Sequence, residues 1–236
     1  MKVALMQPYF FPYIGYFQLI NEVDEFVIFD NAQYIRRSWI TRNRLLNAHK
    51  ESTFINVPVC KEAMGTKIKD IRINNDIQWQ NKIFQQLLYY KNAPYYQYVK
   101  DFLSDCFTVN DSDYVSQFNT RSLKMICDLL KIDTKITVLS EKFPAIDMAD
   151  EADEWGIKVS KSLNASTYIN AIGGKEFYNP EKYLNNGIDI QFVEPVLLAY
   201  KQFKPLFVPG LSIIDVMMFN EIEKIREMLQ LYLLVN

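Results

Sequence analysis

The chain is poor in the residues from which most catalytic and metal centres are built. Its 236 residues include one histidine, His49, and three cysteines, Cys60, Cys106 and Cys127. A single imidazole excludes a histidine-rich metal site and confines any Ser-His-Asp or Cys-His arrangement to His49. That residue lies in a polar turn, Asn47-Ala48-His49-Lys50-Glu51. The thiols are odd in number and form no Cys-x-x-Cys pair, which argues against a disulfide framework or a zinc knuckle. Their apolar neighbours (Val59-Cys60, Ile126-Cys127) fit core side chains. No metal ligand set is assigned, and no cofactor. There is no apolar run of about 18 residues or more, so no integral membrane segment is expected. Four apolar residues between Lys2 and Gln7 are too few for an export signal, and the expected location is cytoplasmic. Charge is nearly balanced, with a formal net of -2, so no global field favours nucleic acid or an acidic membrane.

What the chain does have is apolar and aromatic mass. It is 49% hydrophobic and 14% aromatic, enough for a large core without staples. Its length fits a single α/β domain, 1–236. Val3-Ala4-Leu5-Met6 and Phe26-Val27-Ile28-Phe29 are short continuous apolar runs, as expected of strands buried on both faces of a parallel sheet. Between them, Tyr13, Phe17, Ile20 and Val23 form a helical stripe, with Pro12 suited to a first helical turn. Further strands are expected at 53–59, 135–139, 167–172 and 188–193. A helical insertion fills about 77–131, in three segments of which the last starts at Asp113. An acidic loop follows with Asp147, Asp150, Glu151, Asp153 and Glu154. Helices are expected at 155–163 and from Pro180, and one amphipathic helix from Ile213 to about Leu231. Strands alternating with helices predict a mainly parallel, Rossmann-like sheet flanked by helices. In such folds a ligand sits outside the carboxyl ends of the strands, where strand order reverses.

Three stretches are candidates for that site. The first is the exit of strand one, Gln7-Pro8-Tyr9-Phe10-Phe11-Pro12-Tyr13-Ile14-Gly15-Tyr16-Phe17, where Phe11 and Phe17 suit the core and Gln7, Tyr9 and Tyr13 the floor of a pocket. The second is Asp30, directly after strand two and followed by Asn31 and Gln33, placed to act as a general base. The third is Arg36-Arg37-Ser38-Trp39-Ile40-Thr41-Arg42-Asn43-Arg44. In an extended chain Arg36, Arg42 and Arg44 share one face, and Arg37, Trp39 and Asn43 the other. Guanidinium forks match phosphate and carboxylate oxygens. All three stretches are expected to border one hollow. Ser212 with Asp215 fits a capping box before the last helix, a role in the site being the alternative.

MQPYFFPYIGYFQLI, FVIFDNAQYIRRSWITRNRL, TYINAIGGKEFY and PGLSIIDVMMFN together resemble the WbqC-like family of bacteria, over nearly the whole chain. The resemblance implies a place in surface-polysaccharide or O-antigen biosynthesis. It also implies a transferase moving an aminoacyl (glycine) or acyl group onto a nucleotide- or lipid-linked sugar. The family pattern puts a histidine after the Trp-x-x-Lys of the first middle helix. Here Trp79-Gln80-Asn81-Lys82 is followed by Ile83, so a mechanism resting on that histidine does not carry over. On this reading Asp30 is the base, and Arg36, Arg37 and Arg44 with Trp39 hold the sugar diphosphate. Gln7, Gln33, Asn43 and Gly174 orient the acceptor, and backbone N–H groups at Pro12 to Gly15 or at Gly173-Gly174 are candidates for an oxyanion hole. The aminoacyl donor is a charged tRNA, a carrier protein or an activated acid, and association into an oligomer is left open. A looser likeness, in layout, is to pantothenate-synthetase-like nucleotidyltransferases. Their His-x-Gly-His is replaced here by Tyr13-Ile14-Gly15-Tyr16. It implies a nucleotide-binding nucleotidyltransferase or ligase-like enzyme as the alternative. A non-catalytic glycan-pathway binding protein is the third reading.

Overall fold

The computed structural model describes residues 1–49, 51–108, 114–146 and 151–236. Lys50, Asp113, Asp147 and Asp150, named above, lie outside the described residues. The expected β-α-β unit is β1 (Lys2–Met6), α1 (Ile14–Glu22) and β2 (Glu25–Ile28). A hairpin, β3 (Arg42–Leu46) and β4 (Ser52–Asn56), forms a small sheet of its own. The helical middle comprises α2 (Trp79–Leu87), α3 (Tyr96–Thr108) and α4 (Val115–Leu130). Then come β5 (Lys135–Val138), the short α5 (Leu139–Lys142), α6 (Glu154–Ser162), β6 (Thr167–Ala171), α7 (Pro180–Leu184) and β7 (Asp189–Pro195). The chain closes with α8 (Ile213–Phe219), α9 (Ile222–Met228) and β8 (Tyr232–Val235).

The main sheet has six strands in the order β5-β2-β1-β6-β7-β8, all parallel except β8. β1 lies inside it because both of its faces are apolar. Val3 and Leu5 enter one core with Val27, Trp155 and Phe192, whereas Ala4 enters the other with Phe10, Phe17 and Phe26. Helix α1 packs on one face of the sheet, and α6 and α7 on the other. Strand order reverses between β1 and β6. From β1 the chain builds outward through β2 to β5, and from β6 in the opposite direction to β8.

The strands that flank this reversal do not stay together. β1 and β2 remain paired from Val3 with Glu25 to Met6 with Ile28. β1 and β6 pair only at Lys2 with Thr167 and Val3 with Tyr168. Beyond that point their carboxyl ends part and leave a crevice.

Two expectations about the chain are corrected. The single helix expected from Ile213 to about Leu231 is two helices, α8 and α9, and an edge strand that was not expected, β8, follows them. Asn220 ends α8 by folding its Nδ2 back onto the Val216 carbonyl at 2.9 Å, and the residues after α9 pair antiparallel with β7. The arginine stretch is not extended along its length. Only Arg42 onward is strand, and Arg37 turns the chain with a left-handed backbone (φ 58°).

Ser212 caps α8, its Oγ accepting from Ile214 N at 3.3 Å. Asp215 does not close the box, since Ser212 N donates to the Arg44 carbonyl at 3.0 Å. Instead the fully buried Asp215 carboxylate accepts from Tyr90 Oη at 2.7 Å, Tyr200 Oη at 2.5 Å and Gln202 Nε2 at 2.8 Å. It ties the helical middle and the 200–212 segment to α8. Removing it leaves the buried Tyr90 hydroxyl and the half-buried Tyr200 hydroxyl without their acceptor, at about 1–3 kcal/mol each, whereas Gln202 Nε2 keeps the Val208 carbonyl at 3.2 Å. Asp215→Ala is therefore expected to lower the unfolding free energy by about 2 kcal/mol or more in urea titrations; a loss of less than about 1 kcal/mol would show that the network does not hold these segments.

Candidate functional site

The segment leaving β1 is irregular yet buried, so its polar backbone needs partners other than a ladder or water. Those partners come from far along the chain. Tyr16 Oη donates to the Gln7 carbonyl at 2.7 Å, and Asn119 Nδ2 to that of Pro8 at 2.9 Å. Asn43 Nδ2 donates to the carbonyls of Phe10 at 3.1 Å and Phe11 at 2.9 Å. Ser212 Oγ adds a bond to Phe11 at 2.7 Å, and Ile213 N one to Pro12 at 2.8 Å. Phe11 is held at φ 40°, a left-handed conformation that costs about 1–2 kcal/mol for a side-chain-bearing residue. Its ring meets Phe10, Phe107 and Phe118 edge-on. The bonds and the packing together hold the strained turn.

So fixed, the segment forms one side of a cavity of about 730 Å³ in the crevice between β1 and β6. Gln7, Tyr9 and Tyr13 line it from the opening segment, and Asn170, Gly173 and Tyr178 from the far side. Trp39 and Gly210 close the rim. An added Cβ at Gly15 would stand 2.4 Å from the Tyr13 ring and 2.6 Å from Pro195, so only glycine lets that ring lie back on α1. At Gly173 an added Cβ would meet nothing within 4 Å, and that position keeps the cavity open. Neither Gly173 nor Gly174 has a positive φ. Both lie in a short 3-10 turn after β6.

The lining is mostly apolar and aromatic, with a few polar groups and little charge. Among the described residues no lysine or arginine lines the cavity, and Asp153 is its one carboxylate. Lys182 Nζ lies 2.9 Å from Asp153 Oδ1. Burial pushes the Tyr9, Tyr13 and Tyr178 phenols above their ordinary pKa, so they remain protonated at neutral pH and serve as hydrogen-bond groups. The side-chain amide of Gln7 has no partner among the described residues, whereas Asn170 Nδ2 reaches Tyr168 Oη at 2.8 Å and Tyr178 Oη at 2.6 Å.

The expectation that three stretches share one hollow is corrected: they border three. Asp30 faces a separate hollow of about 640 Å³ with Ser116, Lys124 and Glu141. It is 2% exposed, with Oδ1 accepting from Ser140 N at 3.1 Å and Oδ2 from Ser140 Oγ. The sheet order explains this, since β2 and β5 adjoin on the side of β1 away from β6. Asp30 caps α5 from the neighbouring strand's end. Gln33, Arg36 and Arg37 border a third hollow with Arg42. Arg44 sits behind Trp39, its guanidinium 6.0 Å from that ring and its Nη2 donating to Gly210 O at 3.2 Å. Asn43 reaches the first cavity, but its amide is spent on Phe10, Phe11 and the Arg44 N–H. It holds the loop and is not free to orient an acceptor.

Asn170, Tyr178 and Asp153 were missed as candidates, and so was Asn119 as a clamp. Asn170 carried a usable signal, an amide at the carboxyl tip of a predicted strand just before Gly173-Gly174. The others are placed by long-range packing. Among the described residues no group of three or more His, Cys, Asp or Glu is arranged to hold a metal ion, and no helix is long and apolar enough to cross a membrane.

Residues 7–227 match the model of the WbqC-like protein family, a stretch that begins at Gln7 beside the cavity. The chain is also similar to Rv1507c, an uncharacterised protein of Mycobacterium tuberculosis. The two are 28% identical over 224 residues, which cover 93% of each chain. No solved structure matches the chain.

The capping role given to Asp30 can be tested by a double-mutant cycle. Asp30→Ala alone should cost about 1–2 kcal/mol. Adding Ser140→Ala in that background should cost little more, because both changes break one interaction. Fully additive losses in chemical denaturation would contradict the pairing.

Proposed function

The chain belongs to the WbqC-like protein family, and from that premise we propose that it is a transferase of bacterial surface-glycan assembly whose switch-point cavity holds a sugar ring. The observation that carries this reading is the lining of the β1–β6 crevice, with tyrosine and tryptophan rings beside amide and phenol groups and no cation among its described residues. A sugar presents apolar C–H faces and hydroxyl edges. Aromatic side chains with a polar tip meet the first and bond the second, and small-ligand sites combine a mostly apolar wall with a few fixed polar groups. The free Gln7 amide and the protonated phenols are such groups. A transferred phosphoryl or adenylyl group concentrates negative charge and calls for cations at the reacting centre, which favours the sugar reading over nucleotidyl transfer for this cavity.

The reaction proposed is transfer of an acyl or aminoacyl group, glycyl among them, to an amine or hydroxyl of the bound sugar. The nucleophile attacks the carbonyl carbon of an activated ester or thioester. A C–N or C–O bond forms, the bond from the acyl carbon to the leaving oxygen or sulfur breaks, and the nucleophile's proton passes to a base. Asp153 is the carboxylate placed on this cavity for that purpose, a role the sequence alone assigned to Asp30. Lys182 beside it steadies the carboxylate through an ion pair at 2.9 Å.

Phosphate-free ligands isolate this reading. Methyl glycosides of amino sugars are expected to quench or shift the fluorescence of Trp39 and to raise the melting temperature, a ligand at 100 times its Kd adding about 2.7 kcal/mol. Gly173→Leu should abolish both effects while melting close to the unliganded wild type, because its new side chain enters open space. Absence of any response up to about 100 Kd-scale concentrations expected for weak sugar binders (about 100 mM), or an undiminished response in Gly173→Leu, would contradict the proposal.

A further inference from the structure

The hollow beyond Trp39 has chemistry opposite to that of the sugar cavity. It encloses about 1010 Å³ and is lined by Arg36, Arg37, Arg42 and Lys61, with Glu62 as its one acid among the described residues. None of these four cations makes an ion pair with a described carboxylate. Arg36 gives one bond, from Nη2 to the Glu62 main-chain carbonyl at 3.4 Å, and the Arg42 guanidinium carbon sits over the Phe54 ring, 4.3 Å from its centroid. The Nε of Arg42 is buried without a partner. Gln33 and Asn56 supply neutral polar groups on the same lining.

Four cations gathered on one concavity repel one another unless an anion lies among them. Guanidinium groups present paired N–H donors that match the oxygens of a phosphate. Arg36, Arg37 and Lys61 are exposed at the edge of the hollow, while the Phe54 ring beneath Arg42 holds its guanidinium there. The left-handed backbone at Arg37 (φ 58°) brings a second guanidinium next to Arg36 onto the same hollow, where an extended chain would send the two to opposite faces.

We propose that this hollow is an anion site for a diphosphate, separate from the sugar cavity and built from Arg36, Arg37, Arg42 and Lys61. The two hollows are neighbours. Trp39 borders one and Phe54 the other, with their ring centroids 6.4 Å apart. A diphosphate could belong to a nucleotide or to a prenyl lipid, and the Phe54 ring offers a surface to either.

The test uses the intact protein and inorganic pyrophosphate, followed by isothermal titration calorimetry at low salt. Pyrophosphate is expected to bind, and to bind more weakly as salt rises. Arg36→Ala combined with Arg37→Asn, an asparagine being tolerant of the left-handed backbone, should weaken binding by about tenfold or more with the melting temperature maintained. Lys61→Gln, at an exposed position, should weaken it by about threefold. Arg226→Ala, on α9 and away from the hollow, should leave it unchanged. Parallel titrations with uridine diphosphate and geranyl diphosphate separate the sources, the tighter one identifying the organic part. Failure of pyrophosphate to bind at millimolar concentration, or equal binding by the arginine double variant, would overturn the proposal and would leave the phosphate-free sugar assay unaffected.

Discussion

The structure depends on how a buried, non-repetitive stretch of backbone between β1 and α1 is satisfied. Such a stretch cannot use a ladder, and each unpaired buried carbonyl would cost on the order of 1–3 kcal/mol. Donors from three distant parts of the chain meet this need: Asn43 from the hairpin, Asn119 from α4, and Ser212 with Ile213 at the start of α8. Asn119 also donates to the Ile40 carbonyl at 2.8 Å, so one amide joins the opening segment to the arginine turn. The hairpin, the helical middle and the C-terminal helices are thereby registered on the tip of the central strand.

That registration shapes the site. The opening segment is held on one side of the crevice, and β6 with its 3-10 turn stands on the other. Trp39 is placed at the rim because Phe10 N donates to its carbonyl at 2.8 Å, and Arg44 stacks behind its ring. On the far side of the Trp39–Phe54 pair the surface changes from neutral to cationic within one hairpin. The sugar ring and the diphosphate proposed above would then occupy adjoining hollows on the two sides of this pair.

Much of the fold was legible in the sequence because continuous apolar runs such as Val3-Ala4-Leu5-Met6 announce strands buried on both faces. The helical stripe of α1 was legible for the same reason. The break between α8 and α9 was not, because apolar residues continue on both sides of it and only Asn220 marks it, and the β8 edge was missed because its apolar residues follow directly on those of α9. Site residues divided along similar lines. Gln7, Tyr9 and Tyr13 could be placed on the crevice from their position after a central strand. Asp30 occupies an equivalent position after β2, but which side of β1 that strand joins is a property of the whole sheet. Asn43 looked like a ligand-facing amide amid arginines, and its partners at Phe10 and Phe11 lie more than thirty residues away, at sequence separations of 33 and 32. Local pattern carries no information about such long-range bonds.

The most direct test of this account is amide hydrogen exchange at Phe10, whose N–H points to Trp39 O inside the clamped segment. In the wild type that amide should be strongly protected, like strand amides of the central sheet. In Asn43→Ala its protection should fall by about tenfold more than that of the Ile169 amide in β6, because the segment would open locally. Rapid exchange at Phe10 in the wild type, or an equal loss of protection at both amides in the variant, would show that remote side chains do not hold this segment in place.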